Sequence, residues 1–380
     1  MPETTELGSR PLSILHLLSC HLYTGPVEPV LRLAQEQRRA GHSAWLAVDT
    51  LREGDIEASA AEFGVPLDRR LALSVKSGPI LLLRDVLALK RAWAGTEFDI
   101  LHAHRSHDHT LAALARPRKT KVRLVRTLHT SNASSPGRDW QLRRADGLVV
   151  VSKRQQNDLI ERQTLSEDRI VAIDGAVDAS RFCPGPGGDA VRRQAGISGD
   201  APVAGIVARM KSGRGHDLLL DAWRKVAAGL TTARLMIAGR GELAGSLRRR
   251  VTDSGLAGSV VFLGYRDDLP EVYRAFDLKV ILAPGNDGTC RAALEAMASG
   301  VPVLAADRGA LAEIVTQGRT GRIVPRDDSQ ALADALVEML ADRAALKNMG
   351  AAARTEAHDR FNVEKQAKKI EKLYRLVIES

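Results

Sequence analysis

The sequence predicts an α/β protein of two doubly wound domains, each a parallel sheet between helical layers, and three observations carry that expectation. The chain has 380 residues, more than one hydrophobic core usually organises. Short β-type runs alternate with amphipathic stretches, as a parallel sheet with helical crossovers requires. The alternation is interrupted at Pro184-Gly185-Pro186-Gly187-Gly188 and then resumes, and such Pro/Gly clusters mark linkers.

The elements follow in order. Residues 12–18 read as a first strand, 27–40 as a helix with Val30, Leu31 and Ala34 on one face and Gly41 as its stop, and 44–48 as a second strand, a β-α-β unit. Further strands are expected at 100–103, 122–128, 147–151 and 170–173, and Ser152 with Gln155 supplies a capping box for the helix after Val151. The first domain is placed at 1–185 and the second at 186–358. In the second, strands are expected at 203–208, 234–238, 260–263, 278–282 and 301–305, with helices near 217–228, 242–254 and 289–298. In 359–380, Val363, Ala367, Ile370, Tyr374 and Val377 recur at spacings of four and three, which predicts an amphipathic helix; its expected place is back on the first domain.

Composition narrows the function. An aromatic share of 4% argues against stacking platforms for single-stranded nucleic acid, and no nucleic-acid partner is expected. The 55 basic against 46 acidic side chains, net +9, favour anionic partners or a membrane surface. Arg116, Arg118, Lys119, Lys121, Arg123 and Arg126 crowd one stretch, with Arg143 and Arg144 behind; it reads either as a solvated face or as an anionic docking surface. Cys20, Cys183 and Cys290 show neither paired-ligand spacing nor a disulfide framework, which fits a reducing compartment. The run at 12–18 is too short to span a bilayer and lacks a signal-peptide cleavage pattern. The expected location is the cytoplasm, with peripheral contact at an anionic membrane face.

The segment Asp287-Gly288-Thr289-Cys290-Arg291-Ala292-Ala293-Leu294-Glu295 runs from a strand end through a Gly-bearing loop into a helix. Unpaired backbone N–H groups and the positive end of the helix dipole suit an anionic diphosphate there. Asp287 and Glu295 are placed to accept hydrogen bonds from hydroxyls of one ligand, while Arg291 and Glu295, four apart, read equally as a helical ion pair. Gly239-Arg240-Gly241-Glu242 lacks the third glycine of a dinucleotide fingerprint in its proper place, so no NAD is expected. His102, His104, His107 and His109, with Asp99 and Asp108, have no recognised ligand spacing, and no metal site is expected. His129 closes the strand 122–128, where ligands of open α/β sheets collect; a satisfied loop histidine is the plain alternative.

With Ala296-Met297-Ala298-Ser299-Gly300-Val301-Pro302-Val303-Leu304 following, this segment resembles the signature of the retaining glycosyltransferase family four, the group 1 type. The resemblance implies the GT-B fold, two Rossmann-like doubly wound domains facing a central cleft. That signature carries two glutamates separated by seven residues; Asp287 takes the first place and Glu295 keeps the second. It implies Glu295 on the donor ribose and Asp287 on the sugar hydroxyls, with Gly288, Thr289, Cys290 and Arg291 around the donor. Gly205-Ile206-Val207-Ala208-Arg209, then Arg214-Gly215-His216-Asp217, resembles a segment with an arginine and, five residues later, a lysine that Arg214 replaces; both cations serve the departing diphosphate. Gly241 falls in a pattern near the nucleobase. Thr24-Gly25-Pro26 stands where relatives have two adjacent glycines, and Pro26 removes one amide donor. Thr127-Leu128-His129 resembles a motif whose histidine contacts the donor sugar, and His104 is assigned to the acceptor side.

The implied reaction moves a sugar from a nucleoside-diphosphate sugar, expected to be a UDP-sugar, to a hydroxyl of a glycan or lipid-linked acceptor. Configuration is retained, without metal, cofactor or protein nucleophile, in lipopolysaccharide or cell-surface glycan synthesis. Fold and donor site alone do not separate transfer from rearrangement. A sugar-nucleotide epimerase and a degenerate nucleotide-sugar-binding protein stay open on sequence.

Overall fold

A computed structural model describes residues 10–23, 27–74, 78–94, 97–117, 119–129, 139–162, 165–283 and 287–380. The chain divides into two compact units, Met1–Ile173 with Val363–Ser380, and Asp174–Asn362.

The first unit runs β1 (Ser13–Leu18), α1 (Val27–Arg39), β2 (Ser43–Val48), α2 (Ile56–Glu62), α3 (Pro79–Ala94), β3 (Ile100–Ala103), α4 (Ser106–Ala115), β4 (Arg123–Leu128), α5 (Asp139–Leu142), β5 (Gly147–Val150), α6 (Lys153–Glu161) and β6 (Ile170–Ala172). Its strands form one parallel sheet in the order β2-β1-β3-β4-β5-β6. The order reverses between β1 and β3, and ligands of open α/β sheets bind at the carboxyl ends of strands at such a switch point.

The second unit runs α7 (Gly188–Gln194), β7 (Val203–Val207), α8 (His216–Gly229), β8 (Arg234–Ala238), α9 (Ala244–Asp253), β9 (Val260–Gly264), α10 (Leu269–Arg274), β10 (Leu278–Ile281), α11 (Asp287–Ala298), β11 (Val303–Ala306), α12 (Leu311–Ile314), β12 (Gly321–Val324), α13 (Ser329–Ala341) and α14 (Arg343–Arg360). Its sheet, also parallel, has the order β12-β11-β10-β7-β8-β9, the doubly wound dinucleotide-fold order with its switch between β7 and β10. One core packs Val203, Met236, Val303 and Ala305 against α10, α11 and α14, and another packs Ala204, Ile206, Val280 and Leu304 against α8 and α13. Alternate residues of each strand thus serve opposite helical layers. Gly205 lies beneath Phe276, whose ring a Cβ there would meet at 2.2 Å.

The terminal helix α15 (Val363–Glu379) belongs to the first unit. Ala367, Ile370, Leu373, Tyr374 and Val377 are buried along one stripe and pack with Ile14, Ile100, Val125 and Val149 of the sheet.

A repeated device fixes the starting ends of neighbouring strands inside both sheets. Asp99, Asp146 and Asp277 each precede a strand, and each donates its own N–H to the carbonyl of a residue at the start of the neighbouring strand, at 2.8, 2.7 and 2.8 Å. Each carboxylate accepts from that same residue's amide: Ser13 at 2.9 Å, Leu124 at 2.7 Å and Val203 at 2.8 Å. An arginine closes each clamp, Arg10 at 2.6 Å, Arg116 at 2.7 Å and Arg192 at 2.8 Å. Amides at a strand's open end are thereby satisfied, and register is pinned where pairing begins.

Local signals and structure differ in two places. Ser152 accepts from the Gln155 amide at 3.1 Å, but Gln155 returns its bond to the Val151 amide, one residue before the N-cap. The Pro/Gly segment is no bare linker: Arg274 of α10 donates to the carbonyls of Cys183 at 2.8 Å and Pro186 at 3.0 Å, fastening it to the second unit.

Candidate active site

At the switch point of the second unit, the turn after β7 carries Arg209 and Arg214. Arg209 is exposed and Arg214 half-buried, and neither has an ion-pair partner among the described residues. Backbone braces their loop. Gly239, at φ 139°, leaves room for the Ala208 carbonyl, which a Cβ would meet at 2.0 Å. Met210 donates its amide to the Arg240 carbonyl at 3.0 Å and accepts from the Leu243 amide at 3.0 Å. Gly241 sits in the same contact, a Cβ there falling 2.3 Å from the Met210 carbonyl. Gly215, at φ 80°, caps the start of α8 and presses on Leu282 just beyond β10. The two turns that flank the switch point therefore touch.

Beyond that contact, α11 starts at Asp287. Asp287, Gly288 and Thr289 occupy its first turn, where backbone amides lack intrahelical acceptors; their side chains lie outside the described residues. Cys290 is buried. Arg291 Nε lies 3.3 Å from Glu295 Oε1, and the Tyr273 hydroxyl on α10 donates to Glu295 Oε2 at 2.8 Å. Glu295 is thus the carboxylate of an i,i+4 ion pair, buried to 5% exposure and fixed in orientation from two sides.

Tyr273, Lys279 and His216 escaped the sequence reading. Burial and Glu295 push the Tyr273 hydroxyl well above its ordinary value. Lys279, in the middle of β10, is fully buried, its Nζ 5.6 Å from the Tyr273 ring and without a hydrogen bond among the described residues. Burial lowers it to about 7 against the pull of Glu295. The signal was a lone charge inside the apolar run Leu278–Ile281. His216, first residue of α8, is also buried, with neither ring nitrogen bonded among the described residues, and burial lowers it to about 4.

In the first unit, His104 follows β3 and His129 follows β4, with His104 Nδ1 and His129 Nε2 3.3 Å apart. His16 of β1 joins them, its Nδ1 2.9 Å from His104 Nε2. Strand alternation brings His16 and His102 to the same face at paired register positions. His107 and His109 lie on α4, each with Nε2 unbonded among the described residues. Gly25, with Thr24 and Pro26, lies outside the described residues.

The cationic stretch does not form one surface. Arg126 lies inside β4 at 4% exposure, and burial lowers it to about 10. Arg116 clasps Asp146 and covers the Trp93 ring at 5.2 Å. Lys119 and Lys121 are exposed, Arg123 is half-buried, and Arg118 lies outside the described residues. Sheet formation turned part of the run inward.

Comparison with known proteins agrees with this architecture. The model for group 1 glycosyl transferases matches residues 201–342, and that for Glycosyltransferase Family 4 matches 25–181. The chain is 29% identical over 332 residues to the lipopolysaccharide core biosynthesis mannosyltransferase LpsB of Rhizobium meliloti, covering 82% of this chain and 91% of that one. It is 30% identical to the D-inositol 3-phosphate glycosyltransferase of Corynebacterium urealyticum, covering 77% and 74%. Among solved structures, a glycosyltransferase from Rickettsia africae superposes with TM-score 0.83 at 18% identity, covering 98% and 100%. Anabaena HepE in complex with UDP-glucose superposes with TM-score 0.76 at 23% identity, covering 96% and 100%. With both units matched to the family's models and its relatives aligned along most of the chain, this protein belongs to glycosyltransferase family 4, a group 1 glycosyltransferase with the GT-B fold.

Proposed function

We propose that the chain moves a hexosyl group, with retention, from a nucleoside-diphosphate sugar to a hydroxyl of a glycan or lipid-linked acceptor in envelope glycan synthesis. The observation that carries this reading is a pair of guanidinium groups, Arg209 and Arg214, without an ion-pair partner among the described residues, on a braced loop touching the strand end that leads to α11. Negative charge grows on the departing diphosphate in the transition state, and fixed cations and helix-start amides placed for it lower the barrier. Glu295 takes the ribose, Asp287 and His129 the transferred sugar, and His104 the acceptor side; Gly25 and Gly241 let backbone approach the substrates. The diphosphate oxygen takes the acceptor's proton, so no protein nucleophile or metal ion is needed.

LpsB is named for mannosyl transfer in lipopolysaccharide core synthesis, which supports transfer rather than epimerisation, and the HepE complex holds UDP-glucose, which supports a nucleotide-sugar donor. A thermal-shift screen of UDP-, GDP- and ADP-sugars tests the donor, because a ligand bound only to the folded state raises apparent stability by RT ln(1 + [L]/Kd). A UDP-sugar is the expected hit, with turnover undiminished by EDTA. No shift with any nucleotide sugar would sink the reading.

The acceptor reading includes peripheral docking on an anionic membrane, supported by α3. Ile80, Leu83 and Leu87 are 82%, 59% and 46% exposed at helical spacing, beside exposed Arg84, Lys90 and Arg91. An apolar stripe flanked by cations suits shallow insertion among anionic headgroups. No helix among the described residues is long and apolar enough to cross a membrane.

A further inference from the structure

Six side chains inside the first unit join His129 in one hydrogen-bond network. Gln37 of α1 stands at its head. Gln37 Oε1 lies 2.7 Å from His16 Nε2, and Gln37 Nε2 donates to the Tyr374 hydroxyl of α15 at 3.3 Å. One branch runs from His16 Nδ1 to His104 Nε2 at 2.9 Å and from His104 Nδ1 to His129 Nε2 at 3.3 Å. The other runs from the Tyr374 hydroxyl to His102 Nδ1 at 2.6 Å and from His102 Nε2 to Thr127 Oγ1 at 2.7 Å. Gln37, Tyr374 and the three inner histidines are all buried.

A neutral imidazole has one N–H and one lone pair. Burial lowers His16 to about 4 and holds His102 and His104 well below the ordinary histidine value, so the three rings are neutral near pH 7. Each must then donate on one side and accept on the other, and one amide orients the whole. With Gln37 Oε1 as acceptor, His16 donates from Nε2, His104 from Nε2 into His16, and His129 from Nε2 into His104. On the other branch Tyr374 donates to His102, and His102 donates to Thr127. All six nitrogens of His16, His102 and His104, the rings close enough to hold a metal ion, are engaged in these bonds, so a cation would have to break the network.

We infer that Gln37, His16 and His104 are positioning residues that hold the proton of His129 on Nε2 and fix the orientation in which this ring faces the transferred sugar. The link to the sugar rests on the role proposed for His129; the tautomer does not. A directionally consistent chain in a low-dielectric interior keeps the ring from exchanging tautomers, the service a second partner performs for a metal-bound or catalytic histidine.

The test is nitrogen NMR of the full chain labelled with 15N-histidine at pH 7.5, with His129→Asn for assignment. Wild-type His129 is expected in the Nε2–H form, and Gln37→Met is expected to leave His16, His104 and His129 as averaged tautomers. In the same variant kcat should fall about five- to tenfold with donor KM within about twofold of wild type, the pattern of a contact realised in the transition state. A wild-type His129 protonated on Nδ1, or ring spectra unchanged by Gln37→Met, overturns the inference. Expected spectra with His129→Asn turning over at the wild-type rate would instead refute the sugar contact and detach the network from catalysis.

Discussion

Two side chains in the second unit carry opposite lessons about charge. Arg214 is half-buried, has no ion-pair partner among the described residues, and is proposed to meet the departing diphosphate. Arg214→Ala should lower kcat about 10²–10³-fold, the range seen when one preorganised transition-state donor is lost, while nucleoside-diphosphate affinity measured by calorimetry weakens less. Equal losses in both would mean ground-state binding alone. Lys279 is the reverse, a cation in the core with no hydrogen bond among the described residues. Its value falls from 10.5 to about 7 on folding. Between those values the unfolded chain holds a proton that the folded chain lacks, so this side chain makes stability rise with pH across that window; below about 7 its full cost is present. Lys279→Met should stabilise the protein on the order of 2 kcal/mol or more at pH 6.5 and flatten the rise of urea midpoint between pH 7 and 10. A less stable variant at pH 6.5 would show that Lys279 is needed as the counter-charge of Glu295.

Whole elements are held by devices that single residues reveal only in combination. The three aspartate clamps share geometry but not burial: Arg192 is 7% exposed, whereas the Arg10 side chain is 62% exposed. Asp277→Ala removes the counter-charge of buried Arg192, which keeps only its backbone carbonyl partners, and the side-chain partner of the Val203 amide, and should cost about 3 kcal/mol, against about 1 kcal/mol for Asp99→Ala. Urea midpoints of the two variants compare them directly, and equal losses would contradict the account. Helix α3 makes a separate claim. Ile80→Ser with Leu83→Ser should abolish co-sedimentation with vesicles containing phosphatidylglycerol and spare turnover of a water-soluble acceptor. Binding that persists, or that ignores anionic lipid content at low salt, removes α3 from the membrane.

At the level of the whole chain, the first unit is assembled from both termini. Its sheet packs against α15, so ending the chain at residue 362 exposes Ile14, Ile100, Val125 and Val149. The truncated protein should bind a hydrophobic dye and lose the unfolding transition of the first unit, detected by calorimetry. An unchanged thermogram would show that α15 is dispensable.

How much was legible follows from the range over which each force acts. Strand and helix placement came from local periodicity, and β1, β3, β8, α11 and α15 lie where alternation and amphipathic spacing put them. β12 escaped that reading, since four residues, Gly321–Val324, carry too short a pattern. The family was legible because its motifs are continuous, Arg209 with Arg214 in one short segment and Asp287 to Glu295 in another.

Sequence alone determined the doubly wound class and the glycosyltransferase family, because periodicity and motif chemistry are written along the chain. Tertiary structure alone decided that Arg126 turns inward, that Lys279 lies buried beside the Tyr273 ring, and that Gln37 and Tyr374, 337 residues apart, meet among the histidines. Those outcomes depend on which faces of distant strands and helices come together, and burial in that company sets the charge and proton position of each group.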